Sequence, residues 1–396
     1  MAKAACPFCF RRVDTSRLAY QCSNRGNQEC VLAVDEKRKA MTGSKVLSYR
    51  TFPAPAGRGE PICPECGARA TRRACPECHT SVPIDFVGSD SPMIGIVGSK
   101  GSGKTVLMTV QVKHLREVVG KRFGAAVRMA TDSPDGADGV SSYKANREAL
   151  LFEGRRLPEG TQQNGVVRRS PLVLHWQAPP TRRLGALQSR STILSFVDTA
   201  GEDLTDQDTT FTLQYLTVCD GLIIALDPFA LPGARAQLNL PAQAVQTADG
   251  APLEVVARIT ELLRTEMEGT SSRWALRPRK IKIPVAVVFT KIDAFYGGLD
   301  RANPIMAKPP QTSVYQEVDG QAVHEHVRAL LHGWDADDLD LHLQLNYDDF
   351  RFFAVSALGA EPDYVHRAVA EGGVRPHRVE DPILWLLSKE GTVMSA

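Results

Sequence analysis

The run Gly98-Ser99-Lys100-Gly101-Ser102-Gly103-Lys104-Thr105 fits G-x-x-x-x-G-K-[ST] in full and follows the apolar stretch Met93-Ile94-Gly95-Ile96-Val97. Strand, glycine turn and helix are thereby fixed in that order, which narrows the fold more than any other part of the chain. Gly98, Gly101 and Gly103 let the backbone turn its N–H groups inward, an approach that ordinary side chains would block. Such a cradle suits phosphate. Lys104 would reach the β- and γ-phosphates, the Thr105 hydroxyl would ligate Mg2+, and the next helix would point its positive end at the anion. That helix is expected from about Lys104 to Val119, with Val106, Leu107, Val110, Leu115 and Val118 on one face and Gly120 as its stop.

The 396 residues, 43% of them apolar, suffice for one sizeable core and a smaller module. No stretch reaches the eighteen or so apolar residues that crossing a bilayer takes, and Met1 to Cys6 carry no apolar leader, so a cytoplasmic protein is expected. Eight of the nine cysteines lie before residue 80, and in a reducing compartment metal ligation accounts for them better than disulfides. Residues 1–85 hold fourteen Lys and Arg against eight Asp and Glu, a formal +6 within an overall +2. Two zinc sites of four thiolates would each add −2, which leaves too little positive charge to point to nucleic acid.

Cys6-Pro7-Phe8-Cys9, Cys22 and Cys30 form C-x2-C-x12-C-x7-C, and Cys63-Pro64-Glu65-Cys66 with Cys75-Pro76-Glu77-Cys78 form C-x2-C-x8-C-x2-C. Each C-x2-C turn aims two sulfurs at one ion, so the expectation is one zinc on Cys6, Cys9, Cys22 and Cys30 and a second on Cys63, Cys66, Cys75 and Cys78. His79 follows a site already closed by four cysteines and reads as a non-ligand. Four-sulfur sites leave no position for water and are structural, and zinc would supply folding energy that this Pro-, Gly- and charge-rich segment lacks. Lys45 to Phe52 reads as a short strand pair or spacer, and Pro53 to Gly57 as a linker. The module is either a docking platform for a protein partner or a brace for the main domain.

Beyond Ile84, strand and helix patterns alternate, as in a mostly parallel sheet with helices on both faces. Ser195-Phe196-Val197 leads into Asp198-Thr199-Ala200-Gly201, which places a carboxylate beside the first loop for Mg2+ and the Gly201 N–H toward a γ-phosphate. Leu222 to Asp227 is a buried strand; Val285 to Phe289 runs into Thr290-Lys291-Ile292-Asp293, and Phe352 to Val355 into Ser356-Ala357-Leu358. Ser170 to Trp176 is expected as the strand antiparallel to that of Asp198. Thr161 before it is the candidate Mg2+-capping threonine, with Thr131 as the alternative.

In loop order and strand context this chain resembles guanine-nucleotide-binding P-loop proteins of the translation-factor and Ras-like kind. That resemblance implies that Asp293 pairs with guanine N1 and N2, that the Lys291 stem covers the base, and that the Ser356-Ala357 backbone donates to O6. Adenine would leave the carboxylate unsatisfied. Thr290 stands where asparagine is usual and is expected to lose one tie to the phosphate loop; Leu358 stands where lysine is frequent. Glu202 occupies the place of a water-positioning glutamine, where its charge would repel the γ-phosphate, so hydrolysis is expected to be slow without a partner.

Two inserts, near 230–280 and 297–345, interrupt the minimal fold. Pro252 to Met267 and Ala322 to Leu331 are expected helices within them, and a closing helix is expected from about Glu380. CPFC, CPECG and CPECH before GSKGSGKT, with FVDTAGED and TKID after it, are similar to bacterial zinc-ribbon proteins with a GTPase domain of the double-GTPase group. The implied architecture is a double zinc-ribbon module at 1–85 and a Ras-like GTPase domain at 90–396, within a multi-protein bacterial system. The expected activity is a Mg2+-dependent GTP/GDP switch with slow hydrolysis, with Lys104, Thr161, Gly201 and Glu202 at the reacting phosphate. The alternatives are a non-hydrolysing scaffold acting through the zinc module and an ATPase.

Overall fold

The computed structural model describes residues 3–23, 29–55, 59–83, 86–87, 91–130, 144–158, 171–179, 181–183, 186–188, 191–198, 215–238, 250–268 and 280–396. Seven short strands come first: β1 (Lys3–Ala5), β2 (Arg12–Asp14), β3 (Ala19–Gln21), β4 (Ala33–Val34), β5 (Leu47–Ser48), β6 (Thr51–Phe52) and β7 (Arg72–Ala74), with α1 (Glu36–Thr42) between β4 and β5. There follow β8 (Met93–Gly98), α2 (Lys104–His114), β9 (Ala126–Met129), β10 (Leu172–Gln177), the hairpin β11 (Thr181–Arg183) and β12 (Ala186–Gln188), β13 (Ser191–Asp198) and β14 (Gly221–Leu226). The remainder holds α3 (Pro252–Glu268), β15 (Val285–Phe289), α4 (Glu317–Gly333), α5 (Asp337–Asn346), β16 (Phe350–Ala354) and α6 (Asp381–Lys389).

The chain divides into two compact units: residues 1–93, 126–144 and 164–197 form one, and 94–125, 145–163 and 198–396 the other. In the first, β3 pairs antiparallel with both β6 and β7, and β4 pairs with β5. Lys45–Phe52, expected as a short strand pair or spacer, holds two short strands that pair not with each other but with β4 and β3 respectively. β10 runs antiparallel to both β13 and β9, with Leu172 opposite Phe196 and Gln177 opposite Ser191. One core joins Cys6, Cys9, Cys75 and Cys78 to Val173 of β10 and Ile193 of β13. The four-cysteine region and these strands thus bury their apolar surface against each other.

The second unit is mixed α/β. Its strands β8, β14, β15 and β16 are parallel and neighbour one another in that order, and β8, β14 and β15 are buried throughout, as strands covered on both faces must be. Val255, Val256, Ile259, Leu262 and Leu263 bury one stripe of α3. The helix after β8 does not stop at Gly120. It continues from His114 through a π turn over Leu115–Val119 into Gly120–Arg122, and ends where Gly124, at φ 63°, donates to the Lys121 carbonyl. The π turn adds a residue to the register, so Val119 is buried while Val118 is 42% exposed.

Candidate functional site

Two kinds of site are built, one in each unit. In the first unit the cysteines exchange partners relative to their order in sequence. Cys6, Cys9, Cys75 and Cys78 form one group and Cys22, Cys30, Cys63 and Cys66 the other, with the sulfurs of each within 4.8 Å of one another. The contiguous grouping expected from spacing is thereby overturned. The cause lies in the antiparallel β3–β7 ladder, where Ala19 faces Ala74 and Gln21 faces Arg72. Cys22 follows β3 and Cys75 follows β7, so the ladder holds these two at opposite ends.

Sulfur separations of 3.8 Å for Cys6–Cys78 and Cys9–Cys75, and of 3.5 and 3.6 Å for Cys22–Cys66 and Cys30–Cys63, suit a common ion. A tetrahedron with metal–sulfur bonds of about 2.3 Å has edges of about 3.8 Å. Each C-x2-C closes the same turn: the N–H groups of Phe10, Gly67 and His79 donate to the carbonyls of Cys6, Cys63 and Cys75, at 2.9, 3.0 and 2.9 Å. All three residues have positive φ, which Gly67 adopts freely and Phe10 and His79 do not. The Cys6 centre therefore receives two such turns, and the other centre one turn plus Cys22 and Cys30. His79 Nδ1 lies 2.8 Å from Asp35, outside the sulfur shell, as expected of a non-ligand.

Four crowded thiols cannot all ionise without a cation. Burial pushes Cys6 well up, whereas hydrogen bonding from Cys6 holds Cys78 far down. Burial opposes ionisation of Cys63 too, but the N–H groups of Cys66 and Glu65 bring its pKa to about 7. The two groups fit two zinc ions by donor chemistry and spacing.

In the second unit, β8 ends at Gly98. A Cβ there would lie 2.1 Å from the Ala225 carbonyl oxygen, so the loop starts where only glycine passes β14. Gly101 and Gly103 both have φ of 78°, and Gly103 caps α2. The Ser102 hydroxyl donates to the Ser99 carbonyl at 2.8 Å, and Lys104 Nζ donates to the Gly98 and Ser99 carbonyls, 2.6 Å from each. Lys100 and Thr105 complete the loop and the first turn of the helix.

Thr290 follows β15, and its hydroxyl reaches the Ser102 carbonyl at 2.8 Å and the Leu226 carbonyl at 3.2 Å. Threonine at this position thus makes one direct tie to the glycine loop. Lys291 adopts φ 56°, and Asp293 sits in the 3-10 turn that follows. Burial raises the Asp293 carboxyl above its ordinary value, opposed by a hydrogen bond from the Ser356 hydroxyl. The Ser356 N–H donates to the His377 carbonyl at 3.1 Å, so this half of the expected Ser356-Ala357 donor pair is spent within the fold. Among the described residues, no backbone hydrogen bond takes the Ala357 N–H.

The ends of β8, β15 and β16 therefore assemble residues 98–105 with Thr290, Lys291, Asp293, Ser356 and Ala357. Thr131, Thr161, Gly201 and Glu202 lie outside the described residues, as does the side chain of Asp198. Sequence reasoning missed Asp227, which binds Lys291 Nζ at 2.5 Å; its signal is an acid closing an otherwise apolar strand.

No family model matches this chain. It is 26% identical, over 98% of its own length and 99% of the other's, to the "Putative ESX-1 scaffolding and assembly protein SaeC" of Mycolicibacterium smegmatis (strain ATCC 700084 / mc(2)155). Among solved structures it overlaps bacterial selenocysteine-specific elongation factor EF-Sec (13% identity, TM-score 0.25, 76% of this chain and 29% of that one). It also overlaps sup35 complexed with GDP (15% identity, TM-score 0.25, 69% and 38%). The chain spans about a third of the length of these two proteins. Among the described residues, no helix is long and apolar enough to cross a membrane.

Proposed function

We propose that this chain is a nucleotide-holding scaffold that works through protein partners in a multi-protein bacterial system. The observation that carries the reading is the end-to-end alignment with a protein named for scaffolding and assembly. In this reading two zinc ions brace the first unit, which offers its surface to partners, and the second unit holds a guanine nucleotide as a stabilising ligand. The Gly98–Thr105 backbone and Lys104 would take the phosphates, Thr105 and Asp198 would hold Mg2+, and Asp293 with Ala357 would read the base.

A GTP switch with slow hydrolysis is the second reading, favoured by the direct tie from Thr290 to the glycine loop, which links base corner to phosphate corner. Thr161, Gly201 and Glu202 would then respond to the γ-phosphate. Turnover and hydrogen exchange on the zinc-loaded protein separate the two. The scaffold reading expects no hydrolysis and the same exchange pattern with GTP and GDP. Hydrolysis with protection around Thr161 and Gly201 in GTP alone would replace it with the switch, and equal displacement of a fluorescent guanine nucleotide by ATP and GTP would remove the guanine preference.

A further inference from the structure

Asp227 closes β14 with a fully buried side chain. One of its oxygens accepts the Phe229 N–H at 3.0 Å, and the other meets Lys291 Nζ at 2.5 Å. The same ammonium lies 4.9 Å from the centroid of the Phe229 ring, so an acid and an aromatic face both hold it. Lys291 leaves β15 directly after Thr290, whose hydroxyl reaches Ser102. Because β14 lies between β15 and β8, a side chain from position 291 that ends on Asp227 crosses the carboxyl end of the sheet toward the glycine loop.

We infer that Asp227 is a positioning residue for a purine nucleotide: its ion pair lays the Lys291 stem across the sheet end as a fixed platform for the base. The inference rests on the nucleotide reading given above. A base read by Asp293 and phosphates held at Gly98–Thr105 require the nucleoside to pass over the ground between them, which is where this stem runs. An untethered lysine would sample many rotamers, and ligand binding would have to order it. Tethered to Asp227 and Phe229, the methylenes are set in place before the ligand arrives, with the ammonium already paired.

The test uses the full-length, zinc-loaded protein and equilibrium binding of a fluorescent GDP analogue. Asp227→Asn is expected to raise the Kd about tenfold while the melting point of the nucleotide-free protein holds within a few degrees, an effect on the platform rather than on the fold. In a double-mutant cycle, Asp227→Asn combined with Lys291→Met should bind no more weakly than Lys291→Met alone. The preference for guanine over adenine should persist in Asp227→Asn, because Asp293 is untouched. Should Asp227→Asn fail to fold, Asp227→Ser serves in its place. Unchanged affinity in a folded Asp227 variant, or losses that multiply in the double variant, would overturn the positioning role and leave the nucleotide site standing. Absence of guanine-nucleotide binding by the unaltered protein would overturn the nucleotide reading itself, and the inference with it.

Discussion

The exchange of partners between the cysteine groups predicts zinc stoichiometries that no contiguous grouping gives. Cys6 and Cys75 share one centre and Cys63 belongs to the other. Elemental analysis should find two zinc ions per chain in the unaltered protein, and one after Cys75→Ser. The double variant Cys6→Ser/Cys75→Ser should still hold one, whereas Cys63→Ser/Cys75→Ser should hold none. Contiguous grouping inverts the last two values, so one zinc in Cys63→Ser/Cys75→Ser and none in Cys6→Ser/Cys75→Ser would refute the argument from the β3–β7 ladder.

The magnitude follows from what the Cys6 centre is packed against. Its four cysteines are 0 to 4% exposed and share a core with Val173, 3% exposed, and Ile193, fully buried. A structural zinc contributes about 10–16 kcal/mol of apparent binding energy in small zinc-folded peptides, against roughly 5–15 kcal/mol for the whole stability of an ordinary domain. Loss of that ion therefore exceeds what the shared core can hold by itself. Hydrogen exchange should rise across β10 and β13 in Cys75→Ser and much less in Cys22→Ser, whose centre is packed on Phe52 and Ala70 instead. Equal exchange in both variants would show that the metal and the strands are not one cooperative unit.

Lys104→Ala should abolish nucleotide binding, because it deletes the charge that would meet the phosphates; calorimetric titration with GDP checks it. Gly98→Ala should lose at least about 2 kcal/mol in denaturant unfolding, because the new methyl meets the Ala225 carbonyl. Burial raises the Asp293 pKa above the ordinary carboxylate value, so GDP affinity should begin to weaken, as pH falls, before an ordinary carboxylate would protonate, because the group that accepts the guanine protons is then itself protonated. Asp293→Asn should bind more weakly throughout and lose this pH dependence. The same raised pKa gives the opposite sign for stability: folding takes up a proton at Asp293, so its contribution is complete below the ordinary carboxylate value and is lost as pH rises through the raised one.

Local chemistry was the legible part of this chain. Buried parallel strands announce themselves as apolar runs, and Gly98 and Gly103 stand where the backbone needs them, so β8, α2 and the residues at the strand ends could be placed from sequence. The amphipathic stripe of α3 was equally plain. The π turn at Leu115–Val119 was not, because nothing in an apolar periodicity reports a helix that gains one residue and turns Val118 outward. Cysteine spacing identified all eight sulfurs, since a C-x2-C turn is a local object. It could not group them, since grouping is decided by the register of β3 against β7, a pairing of two short strands more than fifty residues apart.

The base corner shows the same division between local and distant causes. Position 290 sits directly beyond β15, and which carbonyl its hydroxyl reaches, that of Ser102 at 2.8 Å, is a matter of strand order that its place in the motif does not report. The motif makes Ser356 a backbone donor to a ligand, but a bridge to His377, twenty-one residues on, takes its N–H. Asp227 has its partner sixty-four residues away, just beyond the neighbouring strand β15, a pairing that spacing does not report. In each case a side chain or amide has limited bonding capacity, and the sheet decides which of several neighbours uses it. Residues at the ends of adjacent parallel strands are therefore the positions at which motif spacing alone misassigns roles, and those at which the variants above discriminate most sharply.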